Sequence, residues 1–175
     1  MRVLGLAVGV ALAFGGLARA EVVEAGSQGF RLKTVQQVAA PPAKVYTALG
    51  EIGRWWSDAH TYSGKAANMS APLTVGACFC EALPNGGGVR HGVVEAVMPE
   101  RMVRFNAALG PLQDAGVSAA LTYVLKPTPE GTELTVTYNV GGAGPEALAL
   151  TKAVDGVITE QASRLKRYAE TGSPD

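Results

Sequence analysis

The chain has 175 residues, with 15 Lys and Arg against 15 Asp and Glu, so its formal net charge at pH 7 is zero. This length suits one domain. Basic residues are scattered, apart from three near the C-terminus that suit the end of a helix. A protein that binds nucleic acid needs clustered Lys and Arg to neutralise phosphates, so this composition excludes that class.

The first 20 residues have the three parts of a secretory signal peptide. Met1 and Arg2 give a short basic start, residues 3–17 are apolar, and Ala18-Arg19-Ala20 has the small-x-small pattern of a cleavage site. The apolar stretch is shorter than the ~20 residues of a spanning helix. We therefore predict cleavage after Ala20, a periplasmic or secreted protein, and no stable membrane span afterwards; the alternative is an uncleaved N-terminal anchor.

The mature chain is predicted to contain one folded unit. Residues 21–29 indicate a flexible mature N-terminus, residues 30–171 a single domain, and residues 172–175 a short tail. Apolar and polar residues alternate in several segments, as in strands with one buried face. The predicted strands cover residues 30–38, 78–83, 89–98, 101–107, 117–126 and 133–140.

Two helices are predicted around these strands. A short helix begins after Pro41 and leads into Trp55 and Trp56, since proline suits a first helical turn. A long helix begins at Pro145 and reaches about residue 170, with an apolar stripe that includes Leu150 and Leu165. A largely antiparallel sheet covered on one face by helix is an α+β architecture.

Several of these segments resemble the START-like, or SRPBCC, superfamily, in its branch of polyketide cyclases and homologues of the heat-shock-90 ATPase activator. The similarity covers residues 30–170, and its motifs are AAPPAKVY at 39–46, the Trp55-Trp56 pair, GVVEAVMP at 92–99, VRF at 103–105 and LKRY at 165–168. The resemblance implies the helix-grip fold, a curved antiparallel sheet wrapped on a long C-terminal helix, with a cavity between them. This fold hosts carriers, cyclases, hydrolases and chaperone cofactors, so function stays open.

The hairpin between the second and third strands offers a candidate acid–base pair. If Leu83 pairs with Val89, Glu81 lies opposite His91 on the same face of the sheet. A carboxylate that orients an imidazole makes a general base. The alternatives are an ordinary surface contact, or a register slip that sets Cys80 beside His91 instead.

The two cysteines, Cys78 and Cys80, are the only ones in the chain. Residues two apart on a strand have Cα atoms near the limit of disulfide reach, so we predict no structural disulfide here. A zinc site of both cysteines with His60 and His91 is an alternative, but Cys-x-Cys is not the usual ligand spacing. We therefore predict neither metal nor cofactor.

Polar and aromatic residues near the expected cavity are candidate ligand contacts, because a few polar tips in an apolar wall orient a small molecule. The alternative for each is an ordinary place in the core. The predicted ligand-binding residues are Trp55, Trp56, His60, Tyr62, Cys80, Tyr123, Tyr138, Val154, Ile158 and Gln161.

Three functions follow from this interpretation. The first is an exported protein that binds a small apolar or amphipathic molecule. The second is a cyclase- or hydrolase-like enzyme in which His91 is the general base and Glu81 orients it. The third is an accessory protein that binds another polypeptide, which would need a filled core and an exposed apolar patch.

Overall fold

The computed structural model describes residues 21–175, so the predicted signal peptide lies outside the described residues. Its eight strands are β1 (Glu21–Gly26), β2 (Gly29–Val38), β3 (Met69–Ser70), β4 (Cys78–Ala82), β5 (Gly88–Met98), β6 (Met102–Asn106), β7 (Ser118–Thr128) and β8 (Gly131–Gly141). They form one curved antiparallel sheet in the order β1-β2-β8-β7-β6-β5-β4-β3.

Three α-helices accompany the sheet. They are α1 (Pro42–Gly50), α2 (Pro145–Ala149) and α3 (Thr151–Thr171), and three-residue 3-10 turns lie in the connections. The long C-terminal helix predicted from Pro145 is thus divided at Leu150 into a short and a long piece. Helix α3 is followed by Gly172, whose φ of 84° is a left-handed conformation that glycine adopts without steric cost. The predicted helix-grip architecture is confirmed.

Alternating apolar side chains explain why the middle of the sheet forms. In β8, Leu134, Val136 and Tyr138 are buried and the residues between them are more exposed. Tyr138 lies opposite Leu121 of β7 and Leu32 of β2, so one continuous apolar face crosses the three strands. Helix α3 packs on this sheet through β2 and buries its own apolar stripe there.

The prediction of a flexible N-terminus was wrong. Residues 21–26 form β1, which pairs with β2 from Glu21 opposite Lys33 to Gly26 opposite Gly29. Strand pairing at a sheet edge uses backbone groups and does not need an apolar face, and the Val22 and Val23 side chains are exposed. The two-residue strand β3 was also absent from the sequence prediction.

The prediction that the cysteines would not pair was also wrong. Cys78 and Cys80 form a disulfide, with their Cα atoms 5.3 Å apart. The pairing of β4 with β5 is irregular between Phe79 and Cys80, whereas a regular strand would advance about 6.6 Å over two residues. The separation here is shorter than that of a regular strand and lies inside the normal disulfide range.

Candidate functional site

A pocket of about 510 Å³ lies beside β5, under the first two turns of α3. Two connecting loops complete its wall, one before β3 and one between β6 and β7. Most of the lining is apolar, and it carries the chain's two histidines. The lining residues are Trp56, Ala59, His60, Thr61, Tyr62, His91, Leu109, Gly110, Pro111, Asp114, Leu150, Ala153, Val154, Val157 and Ile158.

Glu81 and His91 form a buried pair at this pocket. The Nε2 atom of His91 lies 2.9 Å from Oε2 of Glu81, and the two side chains are 5% and 0% exposed. The backbone N–H groups of Tyr62 and Ser63 also donate to the Glu81 carboxylate. The carboxylate therefore ties β4 to the 56–63 loop and to β5 at one point.

A bulge in β5, rather than the predicted register, brings the two side chains together. Glu81 lies opposite Val89, and Phe79 lies opposite Gly92, so the predicted register was wrong. His91 is the additional residue of the bulge and reaches Glu81 diagonally. A Cβ on Gly92 would be 2.4 Å from that of Ala107, the residue that follows β6. Only glycine therefore permits this close approach of β5 to the end of β6.

The surroundings of Glu81 keep it ionised. Burial alone would raise the pKa of the Glu81 carboxyl, but hydrogen bonds from Ser63, Tyr62 and His91 outweigh that effect and lower its pKa. A carboxylate only accepts hydrogen bonds, so Nε2 of His91 carries a proton in this contact. In a neutral imidazole, Nδ1 then holds the lone pair that could accept a hydrogen bond or a proton.

Aromatic rings hold the His91 imidazole in position. The Phe79 ring centroid lies 5.0 Å from that of His91, and the Tyr62 ring lies 5.8 Å away. Phe79 in turn contacts Trp56 edge-on, with centroids 5.8 Å apart. The imidazole is thus oriented by one carboxylate and contacts two aromatic rings.

A second histidine–glutamate pair lies at the same pocket, and its histidine, His60, is part of the lining. Nε2 of His60 lies 3.0 Å from Oε2 of Glu160 on α3, and both side chains are partly exposed. Burial raises the pKa of Glu160, but hydrogen bonds from Ser57 and His60 and the nearby charges of His60 and Arg164 lower it overall. The indole of Trp56 donates to the His60 carbonyl and fixes the loop that carries it.

Six of the predicted site residues line the pocket. They are Trp56, His60, Tyr62, His91, Val154 and Ile158. Glu81 lies behind His91 and acts on it. Five other predicted contacts, Trp55, Cys80, Tyr123, Tyr138 and Gln161, do not line the pocket.

Two of these five belong to the core and one to the outer face. Trp55 is fully buried, and its indole donates to the Ala48 carbonyl in α1. Tyr123 is buried against the edge of Phe105. Cys80 alternates with the buried Phe79 and Glu81, so it faces away from the pocket and is bonded to Cys78.

The other two support the pocket wall from behind. The Tyr138 hydroxyl donates to the Ala107 carbonyl and accepts from the Leu109 N–H, which fixes the start of the loop after β6. Gln161 accepts a hydrogen bond from the Ser57 N–H and so fixes the loop after α1. Both residues hold backbone segments of the pocket wall without lining the pocket themselves.

The sequence prediction missed Glu160 and the loop of residues 109–114. Residues 108–113 lie between two predicted strands, and they have no periodicity that would indicate a role. Glu160 carries no local signal, because its contact with His60 depends on how α3 crosses the loop 100 residues earlier.

Within residues 21–175, no cluster of three or more His, Cys, Asp and Glu side chains is arranged to hold a metal ion. The zinc alternative would need thiolates from Cys78 and Cys80, which are bonded to each other here. In the same part of the chain, no helix is long and apolar enough to cross a membrane.

Residues 29–170 match the family described as polyketide cyclase / dehydrase and lipid transport. The chain is similar to a solved protein from Mesorhizobium loti, at 22% identity and a TM-score of 0.53, over 77% of this chain and 95% of that one. It is also similar to the Aha1 dimer from Colwellia psychrerythraea, at 19% identity and a TM-score of 0.58, over 81% and 97%.

A third solved relative is CalU16 from Micromonospora echinospora, at 16% identity and a TM-score of 0.56, over 91% of this chain and 86% of that one. Identities this low establish the fold alone. No curated protein matches the chain.

The match over residues 29–170 establishes the class: the chain belongs to the polyketide cyclase / dehydrase and lipid transport family, within the SRPBCC superfamily. Membership of this family supports a fold of the ligand-binding kind for this chain.

Proposed function

We propose that this protein binds a small, largely apolar or amphipathic molecule in the pocket under α3. The observation that carries the proposal is a pocket of about 510 Å³ with apolar walls and two oriented imidazoles. This volume suits a small organic ligand, and a few polar groups in an apolar wall are typical of such sites.

The apolar walls supply the affinity. Leu150, Val154 and Ile158 form the helix side, and Leu109 and Pro111 lie in the loop after β6. Removing apolar ligand surface from water contributes about 25 cal/mol per Å² buried. A ring system or short acyl chain therefore fits this pocket better than a sugar or a nucleotide.

The polar groups define one feature of the ligand. With Nε2 of His91 donating to Glu81, Nδ1 is the acceptor of a neutral ring. A hydroxyl group on the ligand would satisfy it. The proposed ligand is accordingly an apolar molecule with a hydroxyl or enol group at one end.

Native mass spectrometry of the protein purified from its own host tests the proposal. We expect additional mass that denaturation releases as a small organic molecule. Val154→Trp, which fills the pocket, should lose that mass, whereas Lys152→Trp, at an exposed position on the same helix, should retain it. A ligand that survives Val154→Trp would place the binding site elsewhere.

An enzymatic role is the second candidate, favoured by the orientation of His91. A buried carboxylate on one ring nitrogen leaves the other able to take a proton from the ligand, as in general-base catalysis. His91→Gln keeps an N–H donor for Glu81 but cannot act as a base. If the released molecule is a product, His91→Gln should retain binding and lose turnover; unchanged turnover would exclude this role.

We also propose that the mature protein is exported, with cleavage after Ala20. The apolar stretch at residues 3–17 and the Ala18-Arg19-Ala20 pattern support this. A disulfide is also compatible with an oxidising compartment. Intact-mass analysis of the protein from its host would show a chain that begins at Glu21; a mass that retains residues 1–20 would contradict the proposal.

A further inference from the structure

The disulfide between Cys78 and Cys80 does little as a cross-link. It joins two residues of the same strand and ties no separate elements together. The loop that it closes contains one intervening residue, and the stabilisation from loop closure grows with loop length. Its presence therefore needs an explanation other than mechanical reinforcement of the fold.

The disulfide is placed where a thiol can reach it. Both cysteines are only half-buried, while Phe79 and Glu81 between and after them point inward. In the sheet register, Cys80 lies opposite Arg90. Paired residues share a face, and a cationic neighbour stabilises a thiolate, so this position of Arg90 favours Cys80 as the leaving thiolate in exchange.

The same strand carries the support of the pocket on its other face. Phe79, between the two cysteines, packs on the His91 ring at 5.0 Å, and Glu81 follows Cys80 directly. The bonded Cα atoms are 5.3 Å apart, against about 6.6 Å for two residues of a regular strand. Reduction would let β4 extend here, which displaces Phe79 and Glu81 relative to His91.

We propose that Cys78 and Cys80 form a thiol–disulfide exchange site whose redox state sets the position of the Glu81–His91 pair. The partner is a protein or small molecule with two thiols. One partner thiolate attacks a sulfur, forming a mixed disulfide and releasing the other cysteine as a thiolate. The second partner thiol then displaces the first cysteine. Two electrons and two protons reach Cys78 and Cys80, and the partner is left as a disulfide.

The test combines thiol counting with NMR of the histidine rings in the full protein. The oxidised protein should give no iodoacetamide adduct after denaturation, and two after native treatment with dithiothreitol. In protein with ¹⁵N-labelled histidine, reduction should shift the ring signals of His91 and leave those of His60 in place; His60→Gln assigns the two sets. The readout uses no ligand, so its failure is distinguishable from failure of the proposed function.

A double variant, Cys78→Ser with Cys80→Ser, provides the matched control. Its His91 signals should coincide with those of the reduced wild type and should not respond to dithiothreitol. Far-UV circular dichroism checks that the variant is folded; if it is not, reduction of the wild type alone decides the result. Two observations would overturn the proposal: sulfurs that resist dithiothreitol in the native protein, or complete reduction without any change at His91.

Discussion

Glu81 and Glu160 both contact a histidine, but they differ in how much water they retain. The Glu81 side chain is fully buried, whereas that of Glu160 is 42% exposed. In the folded protein, hydrogen bonds from Tyr62, Ser63 and His91 replace those that water makes to the Glu81 carboxylate in the unfolded chain. Removing the charge of a buried, fully bonded group costs more than breaking an exposed ion pair, which contributes about 0.2–1 kcal/mol.

Glu81→Gln should therefore destabilise the protein by about 2–4 kcal/mol at pH 7. The folded-state pKa of Glu81 is lowered, so the stability it contributes is present above the ordinary carboxyl pKa of about 4.5. That contribution is lost as the pH falls through the lower folded value. Urea unfolding of wild type and variant between pH 7 and pH 3 should show the difference shrinking towards acid.

Glu160→Gln is the control for the Glu81 experiment, since it removes the other histidine's partner. We expect a cost below about 1 kcal/mol at pH 7, because water screens this pair. Equal costs for the two variants would contradict the argument from burial.

Two buried tyrosines differ in the hydrogen bonds that their hydroxyl groups make. Tyr138 bonds both Ala107 and Leu109, and Tyr123 packs against Phe105. Burial raises the pKa of both, and only Tyr138 receives an opposing backbone hydrogen bond. Tyr138→Phe should cost about 1–2 kcal/mol by urea unfolding, because it leaves two backbone groups without their partner.

Tyr123→Phe is the matched control for Tyr138→Phe, because it deletes the same atom from a neighbouring strand. Its effect on the free energy of unfolding should be below about 0.5 kcal/mol. A larger loss in Tyr123→Phe than in Tyr138→Phe would show that hydroxyl contacts do not hold the 107–109 backbone.

At the level of elements, polar contacts hold the loop from Ser57 to Ala66 at several points. The Ser57 N–H donates to Gln161, the Ala66 N–H donates to Asp58, and two further N–H groups donate to Glu81. One half of the pocket mouth therefore depends on α3 and the other half on β4. Loops held in this way open locally without unfolding of the sheet.

Gln161→Met should free the α3 end of this loop. Methionine is similar in size and cannot accept from Ser57, while Nε2 of Gln161 has no hydrogen-bond partner within residues 21–175 to lose. The backbone amides of residues 57–60 should exchange their hydrogens about ten times faster. This corresponds to a decrease of about 1.4 kcal/mol in the free energy of local opening. The amides of β7 and β8 provide the internal reference; acceleration there would indicate global destabilisation instead.

The elements that could be predicted from sequence are those with a repeating apolar pattern. The alternation in β7 and β8 and the stripe on α3 depend on one buried face each, so their positions follow from hydrophobic spacing. Strand β1 has no buried face and was missed. The pairing of Glu81 with His91 was expected from a regular register, whereas a bulge at His91 produces the contact.

The same limit explains why some of the predicted ligand residues do not line the pocket. Trp55 and Trp56 are adjacent and chemically identical, yet one is locked to Ala48 in the core and the other lines the pocket. Which of two neighbours faces a cavity depends on the 3-10 turn between α1 and the loop, for which the sequence has no clear signal. Long-range contacts such as that of His60 with Glu160 cannot be predicted from the sequence either, because they depend on how distant elements pack.

For the whole molecule, the order of the strands separates the β1 edge of the sheet from the pocket. Strand β1 lies at one end of the order, and β4 and β5, which carry the Glu81–His91 pair, lie near the other. Helix α3 connects the two regions by packing on β2 and by lining the pocket with its first turns. The pocket should therefore tolerate loss of β1, provided that β2 still supports α3.

A chain that starts at Ser27 should fold and keep its pocket, with a free energy of unfolding about 1–3 kcal/mol below that of a chain that starts at Glu21. The loss is modest because β1 contributes backbone hydrogen bonds at a solvated edge, and the Val22 and Val23 side chains are exposed in any case. Urea unfolding gives the difference in stability, and the ring signals of His60 and His91 report the pocket. If the shortened chain folds with both histidine signals unchanged, β1 is an accessory edge strand. If those signals move, α3 depends on β1 for its position, and the separation of edge and site is wrong.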